Sequence, residues 1–252
     1  MKKTLTVKSI IVLFALCLAF ATNAQEAKPQ EQQTEQQKAD EARKKMDWPN
    51  LNRFRDENTK IGLPEKGVNR IVFMGNSITE GWSRTDPDFF KDKPYVNRGI
   101  SGQTTPQMLI RFKPDVVHLQ PKVVVINAGI NDIAWNTGFS TLEMIEDNLS
   151  SMCEIAKANG IKVVIASVIP AYDFPWRPGM QPAEKVVELN KWIKAYAEKN
   201  GHTYLDYFTP MADERNGLKA DLTRDGVHPN LAGYKIMEPL VEKAIARALK
   251  SK

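Results

Sequence analysis

Five short strand signals, spaced by longer stretches with helical periodicity, constrain this chain more than any other feature. Ile71-Val72-Phe73-Met74, Tyr95-Val96-Asn97-Arg98, Val123-Val124-Val125-Ile126-Asn127-Ala128 and Val163-Val164-Ile165-Ala166 read as strands, with Thr203-Tyr204-Leu205 as a weaker fifth. Runs that are continuously apolar suit strands covered on both faces. Between them, Leu142 to Ala158 carries apolar residues at Leu142, Ile145, Leu149, Met152 and Ile155 and is closed by Asn159-Gly160. Ala183 to Asn200 carries Val186, Leu189, Ile193 and Tyr196 before Gly201, and a last helix runs from about Leu231 to Leu249. Strands alternating with helices imply an α/β fold: a parallel sheet with helices on both sides. Five strands in a domain of this size predict a flavodoxin-like, doubly wound order. In such sheets ligands bind beyond the carboxyl ends of the strands.

The remainder of the chain sorts by composition. Lys2 and Lys3 form a basic start, an apolar run follows from Ile10 to Phe20, and Thr22-Asn23-Ala24 offers small residues for cleavage. Residues 1–24 therefore read as a signal peptide, and the mature protein is expected to begin near Gln25, in the periplasm or outside the cell. The apolar run is short of the ~20 residues that span a bilayer, so no stable membrane insertion is expected after cleavage. Cys17 suggests a lipoprotein only weakly, since Leu16 is not the small residue such processing wants. Residues 25–46, rich in Gln, Glu and Lys with almost no large apolar residue, read as a solvated linker that has no core to join. Residues 47–252 form the folded domain. Of the formal charge of +5, Lys2, Lys3 and Lys8 lie in the leader. Near neutrality without them gives nucleic acid no support as a partner. Cys153 is the one cysteine left after the leader. It can form no internal disulfide and falls in a helical pattern as a small buried hydrophobe.

Four short motifs fall at carboxyl ends of the expected strands. Gly75-Asn76-Ser77-Ile78-Thr79 follows the first, and Asn97-Arg98-Gly99-Ile100-Ser101-Gly102 the second. Gly129-Ile130-Asn131-Asp132 follows the third, and Asp225-Gly226-Val227-His228-Pro229-Asn230 follows the fifth after a loop. Ser77, at a strand-to-helix turn, is placed where backbone N–H groups and the helix dipole support negative charge. A serine hydroxyl needs a base to take its proton. His228 is that base, and Asp225, three residues earlier, orients it. Asp115 with His118 repeats the offset, but both precede the third strand, and His202 precedes the fifth. Topology puts them at the opposite edge and leaves no second histidine for a metal. Asn131, ending the third strand, and Gly102, free of a side chain, are candidate donors to an oxyanion. Nucleophile, base, orienter and donors together meet the needs of acyl transfer.

These residues resemble the SGNH/GDSL hydrolase superfamily. Gly75-Asn76-Ser77-Ile78-Thr79 is similar to its first block, Gly102 to its second, Gly129-Ile130-Asn131-Asp132 to its third and Asp225-Gly226-Val227-His228 to its fifth. The match runs from about Ile71 to the carboxyl end. It implies a three-layer α/β/α sandwich and ester hydrolysis without metal or other cofactor. By the resemblance, Ser77 is nucleophile and oxyanion donor through its N–H, Gly102 and Asn131 are the other donors, His228 is base and Asp225 its orienter. Asn76 departs from the aspartate usual before the serine, keeping a similar hydrogen-bond shape while losing the charge.

Specificity is less legible. Trp82, Trp135 and Tyr172-Asp173-Phe174-Pro175-Trp176-Arg177 are predicted near the active edge, Trp82 as a packing residue. Trp135 and Trp176 offer rings for a sugar face, and Arg177 a charge for a carboxylate or phosphate. Secretion, loop aromatics and resemblance to acetylesterases predict a carbohydrate O-deacetylase acting on small acyl esters or acetylated glycans. A lysophospholipase or platelet-activating-factor-acetylhydrolase-like enzyme is the alternative, and a non-catalytic glycan-binding module the third reading. Oligomeric state is left open.

Overall fold

The computed structural model describes Lys38, Glu41, Ala42 and residues 45–251. The expected signal peptide and most of the linker lie outside the described residues. The chain divides into two units between Ala42 and Arg43. In the first, Lys38, Glu41 and Ala42 are helical and exposed. The second contains the sheet.

In that unit, helix α1 (Arg55–Ile61) comes first. Then follow β1 (Ile71–Gly75), α2 (Ser77–Thr85), β2 (Tyr95–Gly99), α3 (Thr105–Asp115), β3 (Val123–Asn127), the single turn α4 (Ile130–Ile133), α5 (Leu142–Ala158), β4 (Lys162–Ala166), α6 (Ala183–Asn200), β5 (Thr203–Leu205), the single turn α7 (Phe208–Met211) and α8 (Leu231–Lys250). Every pairing is parallel, in the order β2-β1-β3-β4-β5. This is the expected doubly wound order. Winding reverses at β1, so the connections leaving β1 and β3 diverge and open a crevice beyond the strand ends.

All five residues of β1 and of β3 are buried, which is why these central strands read as unbroken apolar runs. Helix α2 packs on β1 and β2, α8 lies along β3, β4 and β5, and α3, α5 and α6 pack on one another in series. Met108, Phe112, Met152, Leu189 and Ile193 are withdrawn from solvent on those helices. Each contributes about 1.5–3 kcal/mol relative to exposure. Cys153 is a free thiol within this core, and burial pushes its pKa up to about 12, so it acts as filler. Among the described residues, no helix is long and apolar enough to cross a membrane.

Helix α3 was not expected from periodicity. Its buried face mixes Met108 and Phe112 with Arg111 and Asp115, an i,i+4 ion pair at 3.0 Å, so charge interrupts the apolar stripe. Its start is nonetheless marked locally: the Thr104 N–H donates to Gln107 Oε1 at 3.1 Å, as in a capping box. At the end of β2, Gly99 is required by contact. A Cβ there would lie 2.2 Å from the backbone N of Glu80, so only glycine lets β2 come this close to the first turn of α2.

Candidate active site

Ser77 is the first residue of α2. Asn76 caps the helix, its Oδ1 accepting the N–H of Ile78 at 3.0 Å. An aspartate would accept the same bond, so the departure at this position leaves the cap intact. The amide Nδ2 of Asn76 is buried without a partner among the described residues. The cap leaves the N–H and hydroxyl of Ser77 at the positive end of the helix. Behind them, Tyr234 of α8 donates its hydroxyl to the Ile78 carbonyl at 2.8 Å and stacks on Trp82, ring centroids 5.2 Å apart. Trp82, in turn, stacks on Phe89 at 4.5 Å. Trp82 thus braces α2 from beneath.

The loop before α8 carries the other two groups. His228 Nε2 lies 2.9 Å from Ser77 Oγ, and His228 Nδ1 lies 2.7 Å from Asp225 Oδ2. With Nδ1–H donating to the carboxylate, Nε2 is left to accept the serine proton. The three-residue offset works because the loop folds back on itself. Asp225 Oδ1 accepts the backbone N–H of His228 at 2.8 Å and of Val227 at 3.0 Å. Thr223 Oγ1 closes the loop by donating to the His228 carbonyl at 2.8 Å. Burial alone would raise the Asp225 carboxyl. The hydrogen bonds from the His228 backbone, its imidazole and the Val227 N–H outweigh this and hold it below the usual carboxylate range.

Gly102 and Asn131 line the same cavity as Ser77, Asp225 and His228. Gly102 has φ +76°, a left-handed conformation that glycine adopts without strain. Asn131 differs from expectation in its local structure. Strand β3 closes at Asn127, Gly129 turns the chain with φ +118°, and Asn131 sits inside α4. Its Nδ2 donates to the Gln103 carbonyl at 3.0 Å. That bond orients the amide, and its second N–H remains for a ligand.

Two supports were not singled out from the sequence. Asp132, buried beside Asn131, accepts the Thr105 N–H at 2.9 and 3.1 Å and the Thr105 hydroxyl at 2.6 Å. It fastens the turn bearing Asn131 to the segment just after Gly102. Desolvation raises its carboxyl to about 6 against the lowering effect of the Thr105 bonds. Arg111 lies beneath and is fully buried. Its guanidinium donates to the carbonyls of Gly75 at 3.0 Å and Arg98 at 2.8 Å, and to Gln103 Oε1. One side chain therefore ties the ends of β1 and β2 to the loop that presents Gly102. The signal available was the Arg111–Asp115 spacing of four, which elsewhere in a helix means an exposed pair.

The cavity encloses about 580 Å³. Its wall is polar and aromatic, with Ser101, Asn136 and Asn230 beside Trp176 and Tyr234. Among the described residues, no Leu, Ile, Val, Met or Phe lines it. Trp176 is held by Nε1 donating to Asn136 Oδ1 at 3.1 Å, and its ring lies 6.0 Å from that of His228. Trp135 and Arg177, expected beside it as binding residues, are placed outside this wall. Trp135 Nε1 donates to the Ser140 carbonyl at 3.1 Å, and its ring faces Phe139 and Lys185. Arg177 Nη1 donates to the carbonyls of Ala134 at 2.7 Å and Trp135 at 3.1 Å, fastening one loop to another. Their hydrogen-bonding groups are thus taken up by backbone carbonyls of neighbouring loops.

His118 lies in a turn before β3, and Asp115 pairs with Arg111 and Asn58 rather than with it. His202 precedes β5 against Tyr196, where burial first and Lys157 second lower its pKa. Neither approaches Ser77. Among the described residues, no three His, Cys, Asp or Glu side chains converge to hold a metal.

Residues 73–236 match the model of the GDSL-like lipase/acylhydrolase family. A solved GDSL-like lipase from Bacteroides thetaiotaomicron is 49% identical with a TM-score of 0.78, covering 80% of this chain and 100% of that one. The esterase TesA of Pseudomonas aeruginosa is 26% identical over 63% of this chain and 75% of its own. An acetylxylan esterase of Xylanibacter ruminicola is 24% identical over 73% of this chain and 45% of its own. The chain spans about half the length of two of its three curated relatives.

Proposed function

The chain belongs to the GDSL-like lipase/acylhydrolase family, a family of ester hydrolases, and on that premise we propose that it is a secreted or periplasmic serine esterase removing small acyl groups, acetyl foremost, from carbohydrate. In this reading Ser77 is the nucleophile, His228 the base and Asp225 its orienter. The N–H groups of Ser77 and Gly102 and the amide of Asn131 hold the oxyanion. The observation that carries it is the relay of 2.9 and 2.7 Å from hydroxyl to imidazole to carboxylate, opening into a cavity that also presents those donors.

The chemistry follows in two halves. Ser77 Oγ forms a bond to the ester carbonyl carbon while its proton passes to His228 Nε2. The tetrahedral oxyanion is met by the donors, and the alkoxide leaves with the proton from His228, giving an acyl-enzyme. Water then gives a proton to His228 and attacks the acyl carbon. Collapse of the second oxyanion returns the proton to Ser77 and frees the acid. Asp225, held ionised, supports the imidazolium in both halves.

A wall that offers Pro229 but no Leu, Ile, Val, Met or Phe among the described residues supports a short acyl group, because a long chain would find few large apolar side chains to cover it. Trp176 beside His228 supports a sugar face, and the likeness to an acetylxylan esterase agrees with it. The expected leader supports export. A chain-length series of 4-nitrophenyl esters tests the acyl preference: highest kcat/KM at acetate is expected. A maximum at long chains would favour a lipid esterase instead. Stoichiometric labelling by a fluorophosphonate, lost in Ser77→Ala, separates an enzyme from a glycan-binding module.

A further inference from the structure

Two arginines in the cavity wall have no part in the relay. Arg84 lies in the last turn of α2, and Arg224 immediately precedes Asp225. At 1.5 Å per residue, Arg84 is about 10 Å along the helix from Ser77. Both side chains are exposed, and neither guanidinium pairs with a carboxylate or donates to a protein acceptor among the described residues. The one carboxylate in the wall is Asp225, whose oxygens already receive the imidazole and two backbone N–H groups. Arg177, by contrast, is spent on carbonyls outside the cavity. Unpaired arginines are ordinary on an open surface. Here two come from separate elements into one concave wall, where charges of one sign raise the local concentration of an oppositely charged ligand.

Resting on the esterase reading above, we infer that the alcohol part of the substrate is anionic: an O-acylated sugar bearing a carboxylate, held by Arg84 and Arg224. An acetyl group has no ionisable site, so in that reading the anion belongs to the alcohol. A guanidinium meets a carboxylate through two parallel N–H···O bonds, fixing orientation as well as charge. The exposed ring of Trp176 suits a sugar face. A phosphate-bearing lysolipid would satisfy the same guanidiniums, but its acyl chain would find no Leu, Ile, Val, Met or Phe in the wall among the described residues.

The test compares acetate release from mono-O-acetylated methyl β-D-glucuronide and methyl β-D-glucoside, each as its mixture of positional isomers. They differ in one carboxylate. The wild-type protein is expected to prefer the glucuronide by about tenfold or more in kcat/KM at low salt, with the preference shrinking at high salt. In the Arg84→Ala, Arg224→Ala double variant the ratio should fall to about one to two, and in the double lysine variant it should recover in part. Equal rates on both sugars in the wild type, or a preference that survives loss of both arginines, would overturn the inference. So would faster release of fatty acid from lysophosphatidylglycerol than of acetate from either sugar. Turnover of 4-nitrophenyl acetate separates the two levels. If it proceeds while the sugar preference is missing, the anion site alone is wrong; if no ester is turned over, the hydrolase reading fails and takes this inference with it.

Discussion

The Nε2 of His228 stands 2.9 Å from the Oγ of Ser77, although 151 positions separate them in the chain. In the proposed mechanism the contact serves catalysis only while Asp225 fixes the ring. Asp225→Asn is expected to keep the loop but favour the wrong imidazole tautomer, lowering kcat on 4-nitrophenyl acetate by on the order of 10⁴-fold. Ser77→Ala should remove turnover, with far-UV circular dichroism unchanged. A variant at either position with near wild-type kcat would remove the relay from the mechanism.

Asn131→Ala deletes one of the proposed donors to the oxyanion. The expected loss is about 10²–10³-fold in kcat with little change in KM, because the donor acts on charge that develops in the transition state. The Gln103 carbonyl also loses its partner, so urea unfolding should accompany the kinetics. A rise in KM with constant kcat would reassign Asn131 to ground-state binding.

Asp132 sets a pH dependence of stability. Burial raises its carboxyl from the ordinary 3.8 to about 6, so the native state holds the proton more tightly than the unfolded chain does. Its contribution is therefore fully present below about pH 3.8 and fades as pH rises through about 6. Asp132→Asn keeps one oxygen for the Thr105 N–H and hydroxyl and loses only the second contact at 3.1 Å, so it should be slightly less stable at low pH. Its deficit against the wild type should shrink between about pH 4 and pH 7 in urea titrations. A constant deficit across that range would show that Asp132 is ionised throughout.

Arg111→Met should cost about 3–5 kcal/mol in urea unfolding, since Asp115 is left as a buried unpaired charge and two carbonyls lose a donor. Arg111→Lys should recover part of this. It restores a charge beside Asp115, but one ammonium cannot reach the Gly75 and Arg98 carbonyls together. Losses below about 1 kcal/mol in both would mean that the strand ends hold the Gly102 loop without help.

The sheet was legible because burial on both faces leaves its mark on consecutive residues, as in Val123 to Ile126. Helices α5 and α6 were legible because one side of each is apolar at helical spacing. Helix α3 was not, because Arg111 and Asp115 neutralise each other inside and mimic a solvent face. The Ser77, Asp225 and His228 positions could be proposed from strand ends and chain order alone. The role of Asp132 could not: an Asn-Asp pair after a strand is ordinary turn chemistry, and only the approach of Thr105 from another loop makes it a fastener. Trp135 and Arg177 show the same limit. Their residue types suggested ligand contact, but where each side chain points depends on loops whose backbone carbonyls needed donors.

Tyr234, which buttresses the turn that carries the serine, belongs to the final helix, whose capping residue, Asn230, stands two positions after His228. The final helix thus reaches back to the first turn after β1, 156 positions earlier in the chain. Removing that helix would leave Ser77, Asp225 and His228 in the chain but take away the hydroxyl that steadies the serine turn from behind.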